Sequence, residues 1–237
     1  MKSNTRRLIA IVGIGLGLMM PLNMAAADSQ SFKQLSAEWW QWALSIPTSE
    51  NPQLDTTGGK CVVGQRGSVW FLAGTFGGGT TTRTCSLPEG KVLFFPVINS
   101  VNIDTPNVCG QGPEKIPVED LRALSATFID GATNLLVEVD SESIENFHRI
   151  QSKVFEVALP EDNVFDAPCE AAGLGNVPAG IYSPAVDEGF YVQLTPLEVG
   201  NHTLHIHSEN PGDPSTSADD FVLDVTYNLT VVPVVLK

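Results

Sequence analysis

Positive charge is scarce in this chain: 13 lysines and arginines stand against 27 aspartates and glutamates over 237 residues. Lys2, Arg6 and Arg7 take three of the 13, and no acidic residue precedes Asp28. The chain beyond Ala27 therefore holds ten basic against 27 acidic residues, a net charge of −17. Such a surface repels phosphate backbones and anionic lipid, which argues against nucleic acid as a partner. The acids are scattered rather than gathered into a tail, the pattern of a solvated surface. No two cysteines sit at C-x₂₋₄-C spacing, which speaks against a zinc–thiolate site. There is no G-x-S-x-G elbow, no internal repeat and no low-complexity linker. Beyond the N-terminus no apolar run approaches the ~20 residues a membrane-spanning helix needs.

What is present begins with an address. The three early cations lead into an almost wholly apolar run from Leu8 to Leu22, and the small residues Ala25, Ala26 and Ala27 follow. That is the layout of a secretory signal cut between Ala27 and Asp28. Glycines in the run and Pro21 near its end suit a signal better than a span. No cysteine follows it to carry a lipid anchor. The expected location is periplasmic or secreted, with no membrane span left after cleavage and residues 28–237 as one domain. All four cysteines lie beyond the signal, and an even count in an exported chain points to disulfides. Four cysteines allow three pairings. Cys61–Cys85 is favoured because the two bracket one glycine-rich, hairpin-like stretch, leaving Cys109–Cys169; each bridge adds ~3 kcal/mol by restricting the unfolded chain.

The elements follow from periodicity. Residues 31–46 recur at helical spacing through Phe32, Leu35, Trp39 and Ile46, with Ser31 and Gln34 fitting a capping box and Pro47 as the stop. Residues 116–130 form a second helix, with Pro117 at its start, Glu119 and Asp120 in its first turn and Gly131 beyond its end. Strands are expected at 69–75, at 91–98 with Pro96 marking an edge or a bulge, at 135–139, at 154–159 and at 189–195, with a loop or bulge at 77–82. The firmest pair is 203–207 with 221–231, where Leu204 and Ile206, and Phe221 through Val231 at every second residue, alternate with polar partners. A period of two demands one buried and one wet face. The predicted fold is mainly β: an antiparallel two-sheet sandwich, jelly-roll or Ig-like, with the N-terminal helix leading in and one helix in a connection.

The strings WWQWALSIPTSENPQLDTTGGKC, GQRGSVWFLAGTFGG and RTCSLPEGKVLFFPVINS, followed by SPAVDEGFYVQLTPLEVGNHTLHIHSE and FVLDVTYNLTVV, cover nearly all of the chain beyond the signal. Through them the sequence resembles a family of exported, β-rich bacterial proteins of unknown function. The resemblance implies a secreted single domain with structural cysteines, and no reaction.

Candidate chemistry is sparse. Trp39, Trp40 and Trp42 cover more than one helical face, so at least one indole should look away from the main apolar stripe; either the helix packs on the sheet and buries all three, or part of the set stays exposed as a stacking platform for a glycan or protein partner. His205 and His207, two apart on a strand, point to one face and supply two ligands for copper or zinc, with a third needed from His148, Glu209 or an aspartate on a neighbouring strand. His202 should face inward with Leu204 or sit at the turn beside Gly200 and Asn201, the latter being more comfortable for a polar ring. Calcium would use Asp213, Asp219 and Asp220, or Asp162, Asn163 and Asp166. Glycoside hydrolysis would need two converging carboxylates, and the acidic pairs Glu119-Asp120, Glu161-Asp162, Asp187-Glu188 and Asp219-Asp220 are each adjacent in sequence, so that neighbours on a strand diverge. The leading expectation is an exported, non-catalytic binding or envelope-associated module. Mass spectrometry of the native exported product should show Asp28 as the N-terminus and no free thiol; an intact Met1 end with four alkylatable cysteines would refute the reading.

Overall fold

As a computed structural model, the protein is described over residues 31–212 and 220–234; the signal segment and Asp213 to Asp219 of the polar loop lie outside the described residues. In chain order come α1 (Phe32–Leu44), a 3₁₀ turn (Thr48–Glu50), β1 (Val69–Phe71), β2 (Gly79–Pro88), β3 (Val92–Ile103), α2 (Val118–Asp130) and β4 (Thr133–Val139). They are followed by β5 (Glu142–Ser143), β6 (His148–Gln151), β7 (Phe155–Leu159), α3 (Asp166–Ala171), β8 (Gly180–Leu194), β9 (Gly200–Asn210) and β10 (Phe221–Val232). One sheet runs β1-β3-β8-β6, with β7 also on β8; the other runs β2-β10-β9-β4-β5.

Alternation builds the space between the sheets. Leu223, Val225, Tyr227, Leu229 and Val231 of β10 are buried beside Leu204 and Ile206 of β9, with Val225 opposite Ile206 and Tyr227 opposite Leu204. They meet Leu93, Phe95, Val97 and Val192 of the first sheet, together with Trp70 and Leu72. The first sheet's other face carries Phe94, Ala185 and Tyr191, which pack on Leu35, Trp39, Trp40 and Ala43 of α1. Three layers result: helix, sheet, sheet. β3 lies in the middle layer, which is why Leu93 to Ile98 are buried on both sides of the strand.

The sandwich is not the antiparallel kind expected. β1 runs parallel to β3, and β2 parallel to β10, so both sheets are mixed and neither a jelly roll nor an Ig arrangement describes them. The chain leaves β1, crosses to the other sheet for β2 and returns as β3, so β1 and β3 need no hairpin between them. Hydrophobic alternation reports which face is buried and carries no information on the direction of a neighbour. Pro96 marks a register shift against β8, as a bulge, and β3 is an inner strand of its sheet, not an edge. Thr80 to Thr82, expected in a loop, belong to β2. α1 begins after Ser31, but the Ser31 hydroxyl makes no capping bond and the Gln34 amide binds the Glu38 carboxylate instead, so the capping box does not form. α2 takes its expected place, with Glu119 and Asp120 in the first turn. Both expected disulfides, Cys61–Cys85 and Cys109–Cys169, are present.

The connection from α1 to β2 is sewn down residue by residue. Asn51 donates its side-chain amide to the carbonyls of Ala43 (2.8 Å) and Ile46 (3.0 Å), closing the end of α1. Gly58 has φ +91°, and a Cβ there would stand 2.3 Å from the Thr84 carbonyl oxygen, so only glycine lets this loop lie against β2. Arg83, on the inner face of β2 and 1% exposed, reaches the carbonyls of Gln53 (3.3 Å), Asp55 (2.7 Å), Ala73 (2.6 Å) and Gly74 (3.1 Å) and the Tyr227 hydroxyl (2.7 Å). The Tyr227 hydroxyl in turn donates to the Ala73 carbonyl at 2.7 Å. Replacing Arg83 by methionine strands several buried carbonyls at once, and should lower the unfolding free energy by on the order of 3–5 kcal/mol in chemical denaturation. A loss under about 1 kcal/mol would show that water takes over these contacts without penalty.

Candidate functional site

α1 brings all three of its tryptophans inward. Trp39 is 1% exposed, Trp40 5% and Trp42 7%. Each indole N–H is used: Trp39 donates to the Leu72 carbonyl (2.9 Å), Trp40 to the Asp187 carboxylate (2.7 Å) and Trp42 to the Val63 carbonyl (2.9 Å). The expected exposed platform is therefore corrected. The first sheet covers one side of α1, while the chain following Lys60 folds over the side carrying Trp42, so more than one helical face is enclosed. Trp39 touches Trp40 edge-on at 4.9 Å and Trp42 at 5.9 Å.

Trp42 alone of the three reaches a sizeable concavity. A cleft of about 570 Å³ opens between the second half of α1 and residues 64–71. Trp42 and Phe71, 5.6 Å apart, form its apolar floor; Gln41, Ser45, Ser68 and Arg66 supply a polar rim, with Glu38 the one carboxylate. Gly64, at φ +70°, passes so close to the Trp42 ring that a Cβ would sit 2.9 Å from it. Gln65 holds the turn by donating to the Cys61 and Phe71 carbonyls and accepting from the Phe71 N–H. The Lys91 ammonium binds the Gly67 carbonyl. Arg66 is exposed and has no partner among the described residues.

The histidines lie on the far side of the molecule. His205 and His207 project from β9 onto the outer face of the second sheet, while α1 and α2 pack on strands of the first. Asp224 of β10 stands between them, its oxygens 3.1 Å from His205 Nε2 and 3.7 Å from His207 Nδ1. Glu138 lies 3.6 Å from His205 Nδ1, and Glu209 3.1 Å from His207 Nε2. This makes an alternating chain of carboxylates and imidazoles across three strands. No three such side chains among the described residues are gathered as a metal site. His148, the suggested third ligand, sits on the other sheet with its ring 4.4 Å from Phe32. His202 is not at a turn: it lies within β9 opposite Leu229, in step with Leu204, where its ring bonds Asp140 (2.7 Å) and the Glu198 carbonyl (2.9 Å). The Asp140 hydrogen bond pushes the imidazole above its ordinary value, and the same bond holds the Asp140 carboxyl below its own.

Asp213 and Asp219 lie outside the described residues; the other acids proposed for calcium or hydrolysis are not gathered at one point. Asp166 accepts the backbone N–H groups of Asn163 and Val177, and Asn163 donates to the Pro160 and Val177 carbonyls, so these oxygens and amides brace the loop around α3. Asp162 faces the Ser49 N–H at 3.3 Å, and Asp220 accepts from Gly212. Glu119 and Asp120 lie in the first turn of α2. Asp187 and Glu188 diverge: Glu188 takes bonds from Arg149 (2.7 Å) and Gln151 (2.9 Å), while Asp187 turns to Trp40 and to the Tyr191 hydroxyl (2.8 Å). In the sequence this pair stands out from the other adjacent acids only by its surroundings. The clue was an acid inside the apolar run from Ala185 to Val192. Burial pushes the Asp187 carboxyl up to about 7, against the opposing bonds from Tyr191 and Trp40 and the nearby Ser36 hydroxyl.

No protein-family model, curated protein or solved structure matches this chain. Function therefore rests on the geometry above. Since all four tryptophans, Trp70 included, are 7% exposed or less, native fluorescence should be poorly quenched by acrylamide and become strongly quenched only on unfolding. Quenching of the native protein close to that of a free indole would mean that an aromatic platform is exposed after all.

Proposed function

We propose that the chain is an exported, non-catalytic binding module that takes a glycan into the cleft beside α1. The observation that carries this is the pairing of Trp42 and Phe71 as an apolar floor with Gln41, Ser45, Ser68 and Arg66 around it. Sugar rings present a C–H face that packs on aromatic carbon and a hydroxyl edge that needs hydrogen-bonding side chains. Trp42 shows only an edge, so the contact is lateral rather than a full stack. The cleft's single carboxylate, Glu38, is one short of the pair that glycoside cleavage requires, which supports binding without turnover. An extracytoplasmic home is supported by the two disulfides, and no helix among the described residues is long and apolar enough to cross a membrane. Electrophoresis through native gels loaded with neutral glucans, xylan or chitin-type polymers should retard the protein. Gln41→Ala and Arg66→Ala should each weaken the retardation about three- to tenfold, as expected for loss of one hydrogen-bonding group. No retardation by any polymer, or retardation untouched by both changes, would refute the cleft as the site.

A second reading follows from Asp224 standing between His205 and His207. It assigns copper or zinc to those three side chains once they turn toward a common point. Elemental analysis of protein purified from the periplasm should then return one metal per chain, and a metal content near zero would remove it.

A further inference from the structure

α1 is fastened to the first sheet at a carboxyl group that has no counter-ion. Asp187 is fully buried between α1 and β8. One carboxyl oxygen accepts from Trp40 Nε1 at 2.7 Å and from the Tyr191 hydroxyl at 2.8 Å, and the other has no hydrogen-bond partner among the described residues, the nearby Ser36 hydroxyl of α1 being turned to the Lys33 carbonyl. The Tyr191 hydroxyl is itself bonded by Asn99 of β3, and the Ser152 hydroxyl holds the Asp187 backbone N–H at 2.8 Å. The charged groups on surrounding elements do not compensate. Glu188 is adjacent and of like sign, and its partner Arg149 is spent on Glu188 and Asp130. Arg122 of α2 donates to the Ser152 carbonyl, Lys33 on α1, Lys153 after β6 and Glu156 of β7 are exposed, and His148 of β6 packs on Phe32 at the start of α1, 4.4 Å between ring centres. Glu38, the remaining charge on α1, lines the cleft.

We propose that α1 is a proton-controlled latch: with Asp187 protonated the helix sits closed on the sheet, and with Asp187 ionised the helix joint opens to admit water. A buried carboxylate without a cation is relieved by hydration. β8 cannot supply that relief, because it is bonded to β3 on one side and to β6 and β7 on the other. The α1 side is held mostly by side chains, through Trp39, Trp40, Gln41 and the packing around them, with one backbone bond from the Lys153 N–H to the Lys33 carbonyl (3.3 Å) at its start. Burial raising this carboxyl to about 7 agrees with the geometry. The sign follows from linkage. In an opened or unfolded chain an aspartate loses its proton near 3.9, so the closed joint has its full stability below about pH 4. It loses that stability progressively as pH rises to about 7, and little changes beyond. α1 also forms one wall of the cleft, but the latch does not depend on what the cleft binds.

Hydrogen exchange of the disulfide-intact protein tests it without any ligand. After correction for intrinsic rates, the opening population of the α1 amides should grow on the order of tenfold per pH unit between pH 5 and 7, one proton being linked to opening. β9 and β10 amides should change far less. Asp187→Asn should flatten the α1 profile. Should that variant not fold, Trp40→Phe removes a bond that favours the ionised form, and should move the α1 profile to higher pH. α1 protection independent of pH in the unaltered protein, a slope that survives Asp187→Asn, or a profile unmoved by Trp40→Phe would each overturn the latch.

Discussion

A guanidinium buried without a carboxylate holds this architecture together. Arg83 stands on the inner face of β2 and makes its bonds to four backbone carbonyls and one phenol, while Tyr227 lies under it with the ring centre 5.5 Å away. Carbonyl dipoles from two separate loops supply the compensation that an acid would give elsewhere. The loops at 53–55 and 73–74 are thereby fixed to the second sheet. The first continues from the cap of α1, and the second follows Leu72, whose carbonyl receives the Trp39 indole. The helix layer, the first sheet and the second sheet are thus indexed to one side chain. The Cys61–Cys85 bridge, two residues along β2, repeats the attachment covalently.

What could be read from the sequence was whatever depends on local periodicity. The β9–β10 pair came through because Leu204, Ile206 and the odd-numbered residues of β10 alternate cleanly. α2 came through because its end signals and apolar stripe agree. The disulfide partners came through because few arrangements were open. Contacts between elements distant in sequence were hidden. Nothing local in TTTRTC reveals that β2 pairs with β10 in parallel, or that its arginine points inward. Three tryptophans in four positions looked like too much aromatic surface for one interface, since periodicity sees a helix as having one buried side and α1 has two. Asp187 was masked by its neighbour: an acidic pair reads as surface, and only the layers above and below show that both members are buried.

The chemistry divides between two faces of the stack. On the helix side, aromatic floor and polar rim meet in a cleft whose wall is the same helix that rests on Asp187. On the open side, Glu138, His205, Asp224, His207 and Glu209 string acids and imidazoles across a sheet surface that α1 and α2 leave bare. The first face combines concavity with an unpaired cation, Arg66, in a chain otherwise dominated by negative charge. The second is flat and regularly ranked, with Thr80, Asp224 and His207 in one row and Thr82, Thr226 and His205 in the next. Concavity is what lets a small ligand shed its water, and it is the property that the cleft beside α1 has.

The place of β10 has a consequence for how the chain acquires its shape. It is the last of the described strands in chain order, yet it lies between β2 and β9, inside its sheet. Until residues 221–232 arrive, β2 has no strand to pair with, and the apolar interior between the sheets stays open on one side. A chain growing from its N-terminus therefore passes through a long stretch with both sheets unfinished, and encloses its interior only when β10 docks between its partners.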